Sequence, residues 1–292
     1  MVRSTSVSGK IFDILNIGFL VFMACIMLYP FWHVLVGSVL PYEEAVKTSF
    51  NILPRSISFE AYEYVFSKNT ILMSVVVSVF VTVIGTLYQL LITSIAAYPL
   101  TKQDLPGRTA IFLFIIFTMF FGGGLIPYYL LIKSLGMVNS LAVMIIPAAL
   151  STYNLIVLKT FFQNIPIDLE ESAKIDGAGY IRVFFQIIIP LSFPALATIA
   201  LFIAVGQWNN WYVPMLFLND KELWPLAMVL RDVLINNNME LTRSGSFVSK
   251  DFMLGDTIKN AIVMVSVIPI IIVYPFIQKH FVKGVMIGSI KS

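Results

Sequence analysis

The sequence predicts an all-α, polytopic membrane protein with six transmembrane helices. Of its 292 residues, 58% are apolar and only 12% are charged, and the mean hydropathy is +0.88. Soluble domains carry about half apolar and about a quarter charged residues, so most of this chain is solvated by lipid. A net charge of +3 without any basic run interleaved with aromatic residues excludes a nucleic-acid partner.

Long apolar runs define the predicted spans, because a bilayer core about 30 Å thick requires roughly 20 helical residues. The six spans are 12–38, 70–99, 109–132, 139–162, 183–217 and 257–280. Outside them lie two predicted extracytoplasmic loops, a cytoplasmic loop and a C-terminal tail, at 39–69, 218–256, 163–182 and 281–292. Together they form one transmembrane domain over 1–292. The first apolar run is too long for a signal peptide, so we expect it to be retained.

Basic residues in the short segments predict the orientation of the chain. An even number of spans places both termini on the same side, and Lys and Arg are denser there than on the other side. We therefore expect both termini in the cytoplasm. The single cysteine, Cys25, lies in an apolar run, so neither an intrachain disulfide nor a cysteine-rich metal site is predicted.

The cytoplasmic loop carries signals for two short helices joined by a bend. Pro166 ends the incoming helix, and Asp168 with Glu171 three residues later fits a capping box that starts a new one. Gly177 predicts the stop, and a second helical stretch runs over 180–186. The result is a bent helix pair at the cytoplasmic surface.

This loop resembles a known signature. It reads Glu171-Ser-Ala-Lys-Ile-Asp-Gly177-Ala and continues, after the nine residues 178–186, with Ile187-Ile-Ile-Pro190. That pattern resembles the EAA motif of ATP-binding-cassette (ABC) importer permeases, from which Ser172 and Ile189 depart. The tail 281–291 and most of the remaining chain are similar to carbohydrate-uptake type 1 permeases, in particular to their smaller six-span subunit.

The resemblance implies a type I ABC importer permease fold in the bacterial cytoplasmic membrane. Its partners would be a second permease in a heterodimer, two ATPase subunits that hold ATP and Mg, and a solute-binding protein that delivers an oligosaccharide. This chain itself would hold no cofactor and no metal. The residues implied to couple to the ATPases are Glu170, Glu171, Ala173, Asp176, Gly177 and Ala178. The tail residues implied to contact them are Lys283, Gly284 and Gly288.

Polar side chains at membrane depth are candidates for the substrate path, because burying them in lipid is expensive. The candidates are Gln207, Trp208, Asn209, Asn210, Trp211, Tyr153 and Asn154. Amides and indoles suit the hydroxyls and ring faces of sugars. Two alternatives remain open, namely an interfacial aromatic belt for the tryptophans and hydrogen bonding between helices for the others.

Two further features bear on the substrate and on its delivery. The run Phe121-Gly-Gly-Gly-Leu-Ile-Pro127 is similar to a subgroup that includes the alginate importer, which suggests uronic-acid oligosaccharides. Close packing or a kink in the helix is the alternative explanation. The mixed charges of the loop 218–256 predict either docking of the binding protein or simply a solvated surface.

The sequence does not predict an enzyme. His33 and His280 are expected on opposite sides of the membrane, and the chain contains no phosphate-binding Gly-x-x-x-x-Gly-Lys-Ser/Thr loop. The alternative function is an ion-coupled secondary transporter, which would place ionisable residues in the interiors of the spans. None is found at that depth.

Overall fold

The computed structural model describes the backbone of residues 7–41, 44, 53–243 and 255–289, and the side chains of 9–41, 44, 53–235, 255–273 and 275. All regular elements in these ranges are helical. The α-helices are α1 Val7–Ser38, α2 Glu60–Ser67, α3 Asn69–Ala97, α4 Arg108–Phe120, α5 Leu125–Ser134, α6 Ala142–Ile145, α7 Thr152–Gln163, α8 Ile167–Ile175, α9 Tyr180–Val183, α10 Ile189–Leu191, α11 Phe193–Trp208, α12 Tyr212–Phe217, α13 Leu226–Arg243 and α14 Gly255–Ser289.

Three stretches within these ranges are single helices long and apolar enough to cross a membrane: Gly9–Ser38, Asn69–Thr101 and Gly255–Val273. Two more candidates are broken. The chain bends by 114° between α4 and α5, and by 81° between Tyr180–Leu191 and α11. The glycine run 122–124 lies at the first bend, which agrees with the kink considered for it above.

The predicted fourth span, 139–162, is not a continuous helix. Helix α6 has four residues, and an irregular segment separates it from α7, which has twelve. Pro147 in that segment lacks the N–H that a continuing helix would need. At about 1.5 Å per residue, α7 is about 18 Å long, shorter than a bilayer core.

The described chain divides into two compact units, Met1–Lys68 with Val233–Val267, and Asn69–Asp232 with Ile268–Ser292. In the first unit, the Ser38 hydroxyl lies 2.8 Å from the Tyr62 hydroxyl, which ties the end of α1 to α2. The second unit holds the predicted cytoplasmic loop and the predicted substrate path.

Helix α3 is the centre of the second unit, where α11, α7 and α6 all pack on it. Much of its buried face consists of small residues: Ser74, Ser78, Gly85, Thr93, Ser94 and Ala97. Two hydrophobic clusters lie along it. Ala97 and Tyr98 belong to one at its C-terminal end, whereas Val77 and Val81 belong to the other, which includes Phe217.

Glu170 joins α8 to the end of α3. It is only 8% exposed, and its Oε2 accepts a hydrogen bond of 3.1 Å from the Tyr98 hydroxyl and forms an ion pair with Lys102. The Lys102 ammonium also lies 4.4 Å from the centre of the Tyr98 ring. Because the carboxylate has both a cation and a hydroxyl as partners, it can be buried at a tolerable cost.

Replacing Glu170 with Gln should destabilise the protein by about 3 kcal/mol, because Lys102 would then be largely buried without a counter-charge. The matched control is Glu171→Gln, since the neighbouring Glu171 is exposed and its loss should change stability by less than about 0.5 kcal/mol. Thermal unfolding of the purified protein at one heating rate measures the difference. Equal midpoints for the two variants would contradict the anchoring role of Glu170.

Candidate functional site

Helices α8 and α9 form a bent pair, called the elbow below, over residues 167–183. The backbone reverses at Gly177, whose φ is +81°. The Ala178 N–H donates to the Ala173 carbonyl at 2.9 Å, and the Gly177 N–H donates to the Lys174 carbonyl at 3.0 Å. These two bonds constitute a Schellman motif, in which a left-handed residue, usually glycine, ends the helix.

The predicted capping box at the start of this helix is wrong. Pro166, not Asp168, precedes the first helical residue, and no side chain caps the helix. Proline is favoured at a helix start because its fixed φ suits the entry and no N–H is needed there. Asp168 lies in the first turn, where its negative carboxylate interacts favourably with the positive end of the helix dipole.

Adjacent residues of α8 have opposite environments, since successive positions on a helix are turned by about 100°. Glu170 is buried against the end of α3, whereas Glu171 is exposed. Ala173 and Ala178 pack on the hydrophobic cluster at that end of α3, and Asp176 is exposed. Of the six predicted coupling residues, Glu171, Asp176 and Gly177 are therefore exposed on the elbow surface.

Large apolar side chains surround these exposed residues. Ile167, Ile175 and Ile181 are 66%, 87% and 77% exposed, respectively. Leu169 is also exposed. Such a patch on a segment that also carries several charges is typical of a surface that another protein covers.

The predicted substrate-path cluster at 207–211 is divided by the structure. Gln207 is buried, with 6% of its surface exposed, whereas Asn209 and Trp211 are exposed and Trp208 and Asn210 are half-buried. The Asn210 side chain accepts a hydrogen bond of 3.2 Å from the Val213 N–H at the start of α12. The prediction from polarity alone therefore grouped residues that have different surroundings in the structure.

The second predicted cluster, around Tyr153 and Asn154, begins a helix and does not lie in the middle of one. Ser151 is the N-cap of α7, and its hydroxyl accepts from the Asn154 N–H at 3.5 Å. Asn154 is buried, whereas Tyr153 is 57% exposed. Only Tyr153 of this pair therefore presents its side chain at the surface of the described chain.

An aromatic ring and a cation lie together beside the first cluster. The Arg231 guanidinium lies 4.9 Å from the centre of the Trp211 ring. A similar pair, Lys221 over Trp224 at 5.4 Å, belongs to the same predicted outer loop. No ion pair involves Arg231 or Lys221 among the residues whose side chains are described.

Some predicted contacts fall beyond the described side chains. The backbone of Lys283, Gly284 and Gly288 is helical within α14, but their side chains lie outside the described ranges, as do the residues 236–254 of the predicted docking loop. Tyr98 and Lys102 were not predicted as partners of the elbow. The available signal was a lysine four residues after an aromatic residue at the end of a span, whereas their partner lies 68 residues or more away.

Comparison with known proteins places the chain in a family. The family described as binding-protein-dependent transport system inner membrane component matches residues 16–287. The polygalacturonan/rhamnogalacturonan transport system permease protein YtcP of Bacillus subtilis (strain 168) is 46% identical over 289 residues, covering 97% of this chain and 99% of the relative. Protein LplC of the same organism is 45% identical over 285 residues, covering 98% and 96%.

A solved structure agrees in fold. It is the crystal structure of a bacterial ABC transporter involved in the import of the acidic polysaccharide alginate, and one of its chains matches with a TM-score of 0.86. That chain is 32% identical, and the match covers 95% of this chain and 99% of that one. The predicted type I ABC importer permease fold is thereby confirmed, and the ion-coupled secondary transporter is ruled out. The chain belongs to the inner membrane components of binding-protein-dependent transport systems.

Proposed function

We propose that this chain is one of two permease subunits of an ABC importer for acidic oligosaccharides, driven by ATPases that dock on the elbow. The main support for this proposal is the exposed elbow, which has an apolar surface and is tied to the end of α3 by the buried Glu170. The family and the relatives named above support the transport of oligosaccharides. The likeness to an alginate importer and to a polygalacturonan/rhamnogalacturonan permease supports an acidic substrate.

The chemistry of the elbow suits a protein partner on the cytoplasmic side, where we also place both termini. Ile175 and Ile181 offer apolar area, and Glu171 offers a carboxylate to which an arginine can donate two hydrogen bonds. A solute-binding protein would dock on the opposite side of the membrane.

The contact of Glu170 with Lys102 connects the elbow to the membrane helices. The Glu170 ion pair with Lys102 holds α8 to the end of α3, and α3 packs along α11. A displacement of the elbow by closing ATPases would therefore be passed to α3 and α11 together. Alternating access follows if these two helices move as one body against the second permease.

The pair of Trp211 and Arg231 favours an acidic substrate. The indole provides a flat face for a sugar ring, and the guanidinium is a donor for a carboxylate. Trp211 is 42% exposed, and Arg231 is half-buried. Trp211 follows the end of α11 by three residues, close in sequence to Trp208 and Asn209, which we propose as path residues.

Substituting Gly177 by Val should uncouple ATP hydrolysis from uptake. The left-handed backbone costs an L-residue about 1–2 kcal/mol, and a β-branched side chain more, so the reversal should distort. We expect uptake by the reconstituted importer to fall about tenfold or more, which corresponds to about 1.4 kcal/mol.

Two controls isolate the backbone effect. Gly179→Val should be tolerated, because φ at Gly179 is −73° and a Cβ there would meet nothing within 4 Å. Gly177→Asn should keep most of the uptake, since asparagine tolerates the left-handed region. Undiminished uptake by Gly177→Val would refute the coupling role of the elbow.

Replacing Arg231 with Gln should lower selectivity for charged sugars. We expect the ATPase stimulation by an oligogalacturonide, relative to its methyl-esterified form of the same length, to fall about tenfold, because a charged hydrogen bond is lost. Lys221→Gln is the matched control, since it removes a similar cation over Trp224. A ratio that falls equally in both variants would indicate a general loss of positive charge and reject the specific role of Arg231.

A further inference from the structure

Gln207 is held where three elements meet. Its Nε2 donates a hydrogen bond of 3.2 Å to the Met144 carbonyl of α6, and its amide lies against Gly85 of α3. A Cβ built on Gly85 would lie 3.0 Å from that Nε2 and 3.2 Å from the Gln207 Cδ. The three residues form a buried contact, called the joint below.

The carbonyl that Gln207 reaches belongs to an interrupted helix. Helix α6 ends at Ile145, and Pro147 prevents its continuation, so the last carbonyls of α6 lack the donors of a following turn. The Gln207 side chain supplies a donor to one of them. This hydrogen bond thus ties the end of α11 to the break in the predicted fourth span.

Gly85 is explained by the close approach of the glutamine. Glycine within a helix costs about 1 kcal/mol relative to alanine, and here it is buried on α3. Space for the Gln207 amide accounts for that cost. By contrast, a Cβ on Gly206, the residue just before Gln207, would meet nothing within 4 Å.

The joint relies on close packing and one hydrogen bond. The Gln207 Oε1 is buried, as are the hydroxyls of Thr82 and Thr86 on either side of Gly85, and none of these has a hydrogen-bond partner among the described residues. Among the described residues, the bond to Met144 is therefore the one hydrogen bond that holds the Gln207 side chain.

We propose that Gly85 and Gln207 are positioning residues for translocation. They fix the end of α11 so that Trp208 and Asn209, which follow immediately, are held at the substrate path. Successive helical residues turn by about 100°, so Gln207 faces the interior whereas Asn209, two positions on, is exposed. This inference rests on the proposed path role of Trp208 and Asn209.

The position of residue 209 can be measured directly. In a Cys25→Ser background, Asn209→Cys is labelled with a membrane-impermeant maleimide in the reconstituted importer, and this chain is separated from its partners by electrophoresis. Gly85→Ala tests the close approach, and Gln207→Met, which keeps the length but cannot donate, tests the hydrogen bond. Each should change the labelling rate about threefold or more.

Three controls make the result specific. Gly206→Ala adds a methyl group to the residue just before Gln207, where a Cβ meets nothing within 4 Å, and should leave the labelling rate unchanged. A cysteine placed by Ser134→Cys, at an exposed position between the predicted third and fourth spans and outside the proposed sites, should be labelled equally in all variants. Gln207→Glu can donate to Met144 only when its carboxyl group is protonated. The ratio of its labelling rate at position 209 to that of the unmodified joint should therefore differ from one as pH rises and return to one as pH falls.

Unchanged labelling at position 209 in both Gly85→Ala and Gln207→Met would overturn the proposal. If these variants do not assemble, Gln207→Glu decides on one preparation, and a flat pH ratio overturns it. Uptake by Trp208→Ala and Asn209→Ala tests the path separately: unchanged uptake there would refute the path role, whereas the joint is judged by labelling alone.

Discussion

The close packing of α3 is the constraint on which the rest of the second unit depends. In a bilayer, lipid chains are as apolar as the side chains they would replace, so helices associate through close contact and hydrogen bonds. Helix α3 meets this requirement with small residues on its buried face. Ser78 also accepts a hydrogen bond of 2.7 Å from the Leu226 N–H. Larger side chains at these positions would separate α3 from α11 and from the broken fourth span.

The same helix links the two regions that an importer must coordinate. Just beyond its C-terminal end, Tyr98 and Lys102 hold the buried carboxylate of α8. Nearer the middle, Gly85 accommodates the amide of α11. Between these contacts the helix is continuous from Asn69 to Ala97, so no internal hinge would absorb a displacement applied at either contact. In the proposed mechanism, this continuity would transmit a displacement of the elbow by an ATPase to the proposed substrate path.

Sequence patterns predicted the class of fold and the existence of the elbow, because both depend on local signals. Hydropathy marks apolar helices, and Gly177 marks the end of α8 in any context. The division at Pro147 was missed, since hydropathy is insensitive to one proline in an apolar run. The roles of Glu170 and Glu171 could not be separated, because a difference of one residue turns a helical side chain by about 100° and the partners lie far away in sequence.

The reversal at Gly177 is closed entirely by main-chain hydrogen bonds, and this separates the shape of the elbow from its surface chemistry. Ile175, Ile181 and Glu171 make no contribution to the two bonds that define the turn. Substitutions at those positions can therefore accumulate without altering the backbone geometry. A permease built in this way could adapt to a different motor subunit over evolution, or by engineering, through its exposed side chains alone.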